Sequence, residues 1–373
     1  MKQPPGLCAM LVAMVSAGAA TVSAEARAEA GKFLMTGLEG EALDGEARRQ
    51  LQRIEPLGLT LFARHMPDLA ALVELTTELR DLIDDAVLAI DHEGGRVDRT
   101  PEGFSHFPPP LRMCEGGEPG LLRAVGRCHG RELSAVGFNL DFAPVLDVHT
   151  NDLNPIIGDR AFGTTPEQVV HFALPYLQGL SEGGVVGCGK HFPGHGDTSV
   201  DSHLDLPSVG HGIDRIRSVE LVPFSRAVQQ GIAMIMSAHL VCEAIDAERP
   251  ASLSQAVLEG CLRRELGFGG VIVCDDLEMK AISDRLSIAE AAVEAVNAGN
   301  DVVLVCNSAR MMDEAHEGLA RAIADGDISA ERVAMAEARR AKLLSRMRRT
   351  ARNAGSLDAL GCTDHETLLQ RFA

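Results

Sequence analysis

One pattern constrains this chain more than any other. Short apolar runs recur, each closed by a polar or glycine turn and most followed by an amphipathic segment. The runs are Phe33–Met35, Leu59–Phe62, Val87–Ile90, Phe138–Phe142, Val185–Cys188, Met234–Ser237, Val271–Cys274 and Val302–Val305. Runs this short and this apolar fit strands buried on both faces. Between them, Asp68–Leu82, Pro166–Glu182, Ile216–Gln230, Leu253–Leu266 and Ile288–Ala298 carry apolar residues at helical spacing. Eight strand-then-helix units without a long linker predict an α/β fold, a single (β/α)8 TIM-type barrel.

The expected barrel spans 32–345, between a leader at 1–31 and a C-terminal tail at 346–373. Lys2, the apolar run Leu7–Ala17 and Val22-Ser23-Ala24 have the form of a weak secretory signal with cleavage after Ala24. One charge and two prolines ahead of the run argue against export, and an N-terminal extension, or a start at Met10 or Met14, is the other reading. The run is too short to cross a bilayer. From Arg332 the Ala/Arg/Lys-rich stretch predicts a last helix outside the barrel, and the polar residues from Ala354 predict a partly disordered tail.

A formal charge of −18 excludes the basic face that nucleic-acid binding requires. Nine cysteines lie singly, with no CxxC pair, which fits reduced core thiols better than a disulfide scaffold or a zinc site.

The chemistry gathers at the carboxyl ends of the runs: Asp91 and Glu93, Asp147, Lys190 and His191, His239, Asp275 and Asp276, Asn307. In a barrel those ends share one mouth. The densest stretch, VVGCGKHFPGHGDTSVDSHLDLP from Val185 to Pro207, continues past its strand into a loop, because Pro193, Gly194 and Gly196 forbid a helix.

Asp275 ends an apolar strand and is expected to point into the mouth, with Asp276 turned aside as a capping support; a plain helix-capping role is the alternative. Asp201 and His203 stand at i and i+2, so the carboxylate can bond one imidazole nitrogen and make the other a general acid/base; a surface Asp–His pair is the alternative. His191 and His195 stand four apart, but Pro193 and Gly194 remove the helix that would make them a metal pair, and no catalytic metal is expected. Asp91 suits vicinal hydroxyls, with Arg96 and Arg99 as added donors. Asp159-Arg160 offers another guanidinium, or else a structural ion pair fixing the long loop.

KHFPGHGDTSVDSH, DHEGGRVDR, NPIIGDRAFG and CDDLEM, in order between about Lys32 and Arg340, resemble the single-domain bacterial β-N-acetylglucosaminidases of glycoside hydrolase family 3, which act in peptidoglycan recycling. The resemblance implies retaining hydrolysis of terminal β-linked N-acetylglucosamine from muropeptide fragments carrying anhydro-N-acetylmuramic acid. It implies Asp275 as nucleophile, His203 as general acid/base oriented by Asp201, and Asp91, Arg99, Arg160, Lys190 and His191 as sugar-holding residues. A histidine acid departs from the usual carboxylate pair.

The resemblance implies no cofactor, no metal, no membrane or nucleic-acid partner, a small saccharide substrate, a monomer and a cytoplasmic location, with export the alternative if 1–24 is a signal. His92 stands where many relatives carry Gln. A family 3 β-glucosidase, an N-acetylglucosaminide phosphorylase and a non-catalytic sugar-binding protein are the competing readings.

Overall fold

The computed structural model describes residues 22–199 and 206–372. The eight apolar runs become eight strands: β1 Leu34–Thr36, β2 Gly58–Thr60, β3 Val87–Ile90, β4 Leu140–Asp141, β5 Val186–Phe192, β6 Met234–Ser237, β7 Val271–Asp276 and β8 Val302–Val305. Neighbours in sequence pair in parallel, and β8 returns to β1 with Val303 opposite Leu34, closing the barrel that the pattern predicts. Alternation explains why the strands read as unbroken apolar runs. Val302 and Leu304 of β8 point inward with Met35, Phe142 and Val273, whereas Val303 and Val305 pack outward on Ile288, Ala292 and Met312.

The helices used below are α1 Ala24–Lys32, α2 Gly45–Ile54, α3 Leu69–Leu82, α4 Pro119–Ala135, α5 Pro166–Glu182, α6 Leu221–Gln229, α7 Ile288–Ala298, α8 Ala309–Asp325, α9 Ala330–Thr350 and α10 Thr363–Leu369. Local chemistry sets their starts. Thr165 with Gln168 and Ser287 with Glu290 form capping boxes at α5 and α7. The helix expected over Ile216–Gln230 is two, Ile213–Ser218 and α6. A continuous helix would set the Pro223 ring against the Val219 carbonyl; as the third residue of α6, Pro223 has no helical partner to lose. The segment Ala256–Glu265 is helical as expected, with the wider π spacing.

Helix α9 closes the amino-terminal end of the barrel. Its Leu343 and Met347 join the interior cluster, and Arg332 and Arg339 bind the buried Asp301 carboxylate at 3.1 and 3.0 Å. The expected boundaries at 31 and 345 therefore fall inside α1 and α9. The tail expected to be partly disordered instead lies on α4. Gly355 N–H donates to Ser134 Oγ at 2.9 Å, Gly361 N–H to the buried Glu132 at 3.1 Å, and α10 brings His365 to the same carboxylate. A Cβ on Gly355 would meet the Arg131 carbonyl oxygen at 2.2 Å, so glycine permits this approach. Polar composition hid an anchor that depends on one buried carboxylate.

Candidate active site

Two register breaks shape the barrel mouth. Between β8 and β7, Val303 opposes Cys274 but Leu304 opposes Asp276, which makes Asp275 an extra, bulged residue at the end of β7. Between β5 and β6, Gly189 opposes Ile235 but Phe192 opposes Ser237, so the Lys190–His191 step is also irregular. A bulge suspends strict alternation and re-aims side chains. As a result both members of each pair line the same cavity, of about 480 Å³, where regular strands would send one member outward. The expectation that Asp276 turns aside needs correcting: it lines the cavity, while its Oδ1 accepts the Glu278 N–H and its Oδ2 accepts from Asn307 Nδ2, both at 3.1 Å. Burial, then the neighbouring Glu278 and Asp275, push the Asp276 carboxyl well above the usual range. Asp275 Oδ1 accepts the Asp276 N–H at 2.9 Å.

Opposite Asp275 stands a cage of fixed charges. Lys190 Nζ lies 2.6 Å from Asp91 Oδ1 and 2.7 Å from Glu93 Oε1. Arg160 grips Glu93 with Nε and Nη2, both at 2.8 Å. Burial opposes the Glu93 charge, yet Arg160 and Lys190 outweigh it and hold its pKa below the usual carboxylate range. Burial likewise opposes the Lys190 ammonium, and Asp91 with Glu93 raises its pKa all the same. His191 Nδ1 is 2.7 Å from Asp147 Oδ2, and Asp147 also accepts the His195 N–H at 2.6 Å. That second carboxylate fixes the imidazole ring beside Arg160.

Of the residues expected from sequence, Asp91, Arg99, Arg160, Lys190, His191 and Asp275 share the cavity wall, and the Arg99 Nε is buried without a hydrogen-bond partner. Asp201 and His203 lie outside the described residues. Arg96 serves the scaffold: it donates to Asp159 at 3.0 Å and to the Ile156 carbonyl at 2.6 Å. Asp159 with Arg96 and Arg160 with Glu93 each tie the 156–160 turn to the 93–96 segment, ion pairs of the loop-fixing kind that the alternative reading expected. His92 sits beneath the cavity, fully buried, with its N–H donating to Asp141 at 3.0 Å and its ring edge-on to His129 at 4.3 Å. Sequence reasoning put Glu93 at the mouth but gave it no role. Its signal was the i, i+2 spacing from Asp91 on an extended segment, which sends both carboxylates to one side.

The profile of the glycosyl hydrolase family 3 N terminal domain matches residues 28–343. The chain belongs to glycosyl hydrolase family 3. This family 3 chain is similar to a β-hexosaminidase of Neisseria meningitidis serogroup C, 39% identical over 293 residues that cover 76% of this chain and 81% of that one. Its fold superposes on a family 3 β-N-acetylglucosaminidase from Paenibacillus sp. with a TM-score of 0.88 and 35% identity, covering 93% of this chain and 68% of that one. It also superposes on NagZ from Neisseria gonorrhoeae in complex with N-trifluoroacetyl-D-glucosamine, with a TM-score of 0.71 and 34% identity, covering 85% and 98%.

Proposed function

We propose that this family 3 enzyme is a retaining exo-β-N-acetylglucosaminidase. It is a glycoside hydrolase acting as a β-N-acetylhexosaminidase, removing terminal β-linked N-acetylglucosamine from muropeptide fragments that end in anhydro-N-acetylmuramic acid. The observation that carries the reading is the placement of the Asp275 bulge across one cavity from the Asp91–Lys190–Glu93–Arg160 cage. Paired charges of this kind keep hydrogen-bonding atoms in place before substrate arrives, so a pyranose ring is oriented by groups that need not reorganise. Asp91, Lys190, Arg160, Arg99 and His191 hold the sugar hydroxyls, and Glu93 and Asp147 position them.

In the proposed mechanism the Asp275 carboxylate attacks the anomeric carbon while His203 Nε2–H or Nδ1–H protonates the leaving glycosidic oxygen. The C–O bond to the aglycone breaks, and a covalent glycosyl ester forms on Asp275. His203, oriented by Asp201, then takes a proton from water, whose oxygen attacks the anomeric carbon and releases Asp275. The roles of Asp201 and His203 rest on the KHFPGHGDTSVDSH motif. The chemistry asks for no metal and no organic cofactor. A monomer in the cytoplasm fits the muropeptide substrate, and among the described residues no helix is long and apolar enough to cross a membrane.

The test is release of aryl alcohol from paired aryl β-glycosides, one of N-acetylglucosamine and one of glucose, in phosphate-free buffer with a chelator. Release from the first alone is expected. Release only after phosphate is restored would make the enzyme a phosphorylase, release from the glucoside a β-glucosidase, and release from neither a sugar-binding protein.

A further inference from the structure

Far from the mouth, the contact between α4 and the C-terminal segment brings together donor atoms that the glycosidase reaction does not use. Cys128 and Glu132 are one helical turn apart on α4 and share its inner face. His365 sits in the first turn of α10, and Cys362 caps that helix three residues earlier. The Sγ, carboxylate and imidazole ligand atoms of Cys128, Glu132 and His365 all lie within 4.8 Å of one another, and all three side chains are buried. Among the described residues this is the one group of three or more such side chains so placed.

We propose that Cys128, Glu132 and His365 form a zinc site, its fourth position left to water, that pins the C-terminal segment to the outside of the barrel. Tetrahedral zinc with bonds of about 2.0–2.3 Å needs donor atoms about 3.3–3.8 Å apart, within reach of the observed spread after small side-chain shifts. His365 Nδ1 and Glu132 Oε1 are 2.8 Å apart and need only open slightly. Thiolate, imidazole and carboxylate together suit zinc and disfavour magnesium or calcium, which prefer oxygen alone.

Hydrogen bonds account for Glu132 as a clasp, since it also accepts from Ser105 N and Oγ at 2.9 and 2.7 Å. A clasp of that kind needs no cysteine. One thiolate and one carboxylate neutralise a divalent ion, and the imidazole completes the donor set. An entry path exists: a cleft of about 330 Å³ between α4 and α10 is lined by Cys128 and His365 together with Arg127, Arg131 and Asp364. Sequence reasoning passed over the site because it sought paired cysteines; here the donors come as Cys-x3-Glu on α4 and a histidine more than two hundred positions later.

The test uses the full-length chain, stripped with a chelator, given zinc chloride and desalted. One zinc per chain is expected to remain, with a melting temperature several degrees above that of the stripped protein. Cobalt in its place should show the thiolate charge-transfer absorption. His365→Ala and Cys128→Ser should each lose the bound zinc, the cobalt band and the thermal gain, with kcat/KM on the aryl N-acetylglucosaminide unchanged; the zinc stoichiometry and cobalt spectrum of the unsubstituted chain keep the test open should either variant fail to fold. No retained zinc would overturn the proposal. So would zinc that survives both substitutions and is lost in His191→Ala, which would put the ion at the mouth.

Discussion

Glu93→Gln probes the cage most sharply, because it changes charge without changing shape. The wild-type carboxylate accepts two bonds from Arg160 and one from Lys190, and its side chain is 1% exposed. The amide keeps one acceptor and turns an NH2 donor toward a cation. At least one charge-assisted bond is lost, worth about 1.5–3 kcal/mol, and removing one partner of a buried pair costs about 3–5 kcal/mol. Lys190 retains Asp91 at 2.6 Å, which puts the stability loss at the lower end, about 3 kcal/mol. In the reaction, one displaced cation forfeits a hydrogen bond of the same strength to the sugar, lowering kcat/KM about 10- to 150-fold. Steady-state kinetics on an aryl β-N-acetylglucosaminide, run beside thermal unfolding, reads both effects. The pH dependence supplies a second signature. The folded Glu93 pKa is depressed, so its stabilisation is full above the unfolded value of about 4.3 and disappears as pH falls through the folded value. The Gln variant should lack that acid-side loss. Wild-type kcat/KM in Glu93→Gln would refute the positioning role.

Three further substitutions have defined outcomes. Asp275→Asn should lower turnover by several orders of magnitude with an unchanged melting temperature, and a variant of near wild-type rate would exclude Asp275 as nucleophile. His203→Ala should slow substrates with poor leaving groups far more than activated aryl glycosides, and equal losses on both would count against His203 as the acid. Asp141 lies fully buried with Oδ2 unpartnered, and burial, against the pull of His92, pushes its pKa up to about 8. The folded state therefore holds a proton that the unfolded state releases near pH 4, and stability should fall as pH rises from about 4 toward the folded value; Asp141→Asn should flatten that slope in melting curves, and an unaltered slope would rule the assignment out.

The barrel itself was legible because strands buried on both faces leave unbroken apolar runs, and each of the eight runs holds a strand. The gathering of charge at strand ends was legible for the same topological reason. What escaped the sequence reading was local register. Nothing in CDDLEM or GKHFPG announces a bulge, because a bulge depends on how many residues the neighbouring strand opposes. The role of Glu93 escaped because its partners, Arg160 and Lys190, are supplied by segments 67 and 97 positions away. The C-terminal segment escaped because its composition is that of a solvated tail, and only the folded α4 presents the carboxylate that holds it. The split of Ile216–Gln230, by contrast, was readable from Pro223.

Stereochemistry tests the proposed covalent intermediate on Asp275 most directly. Proton NMR of an aryl β-N-acetylglucosaminide during early turnover shows which anomer of N-acetylglucosamine forms first, before mutarotation mixes them. Two displacements at the anomeric carbon predict the β-anomer. First appearance of the α-anomer would mean direct attack by water, and would remove Asp275 from the role of nucleophile.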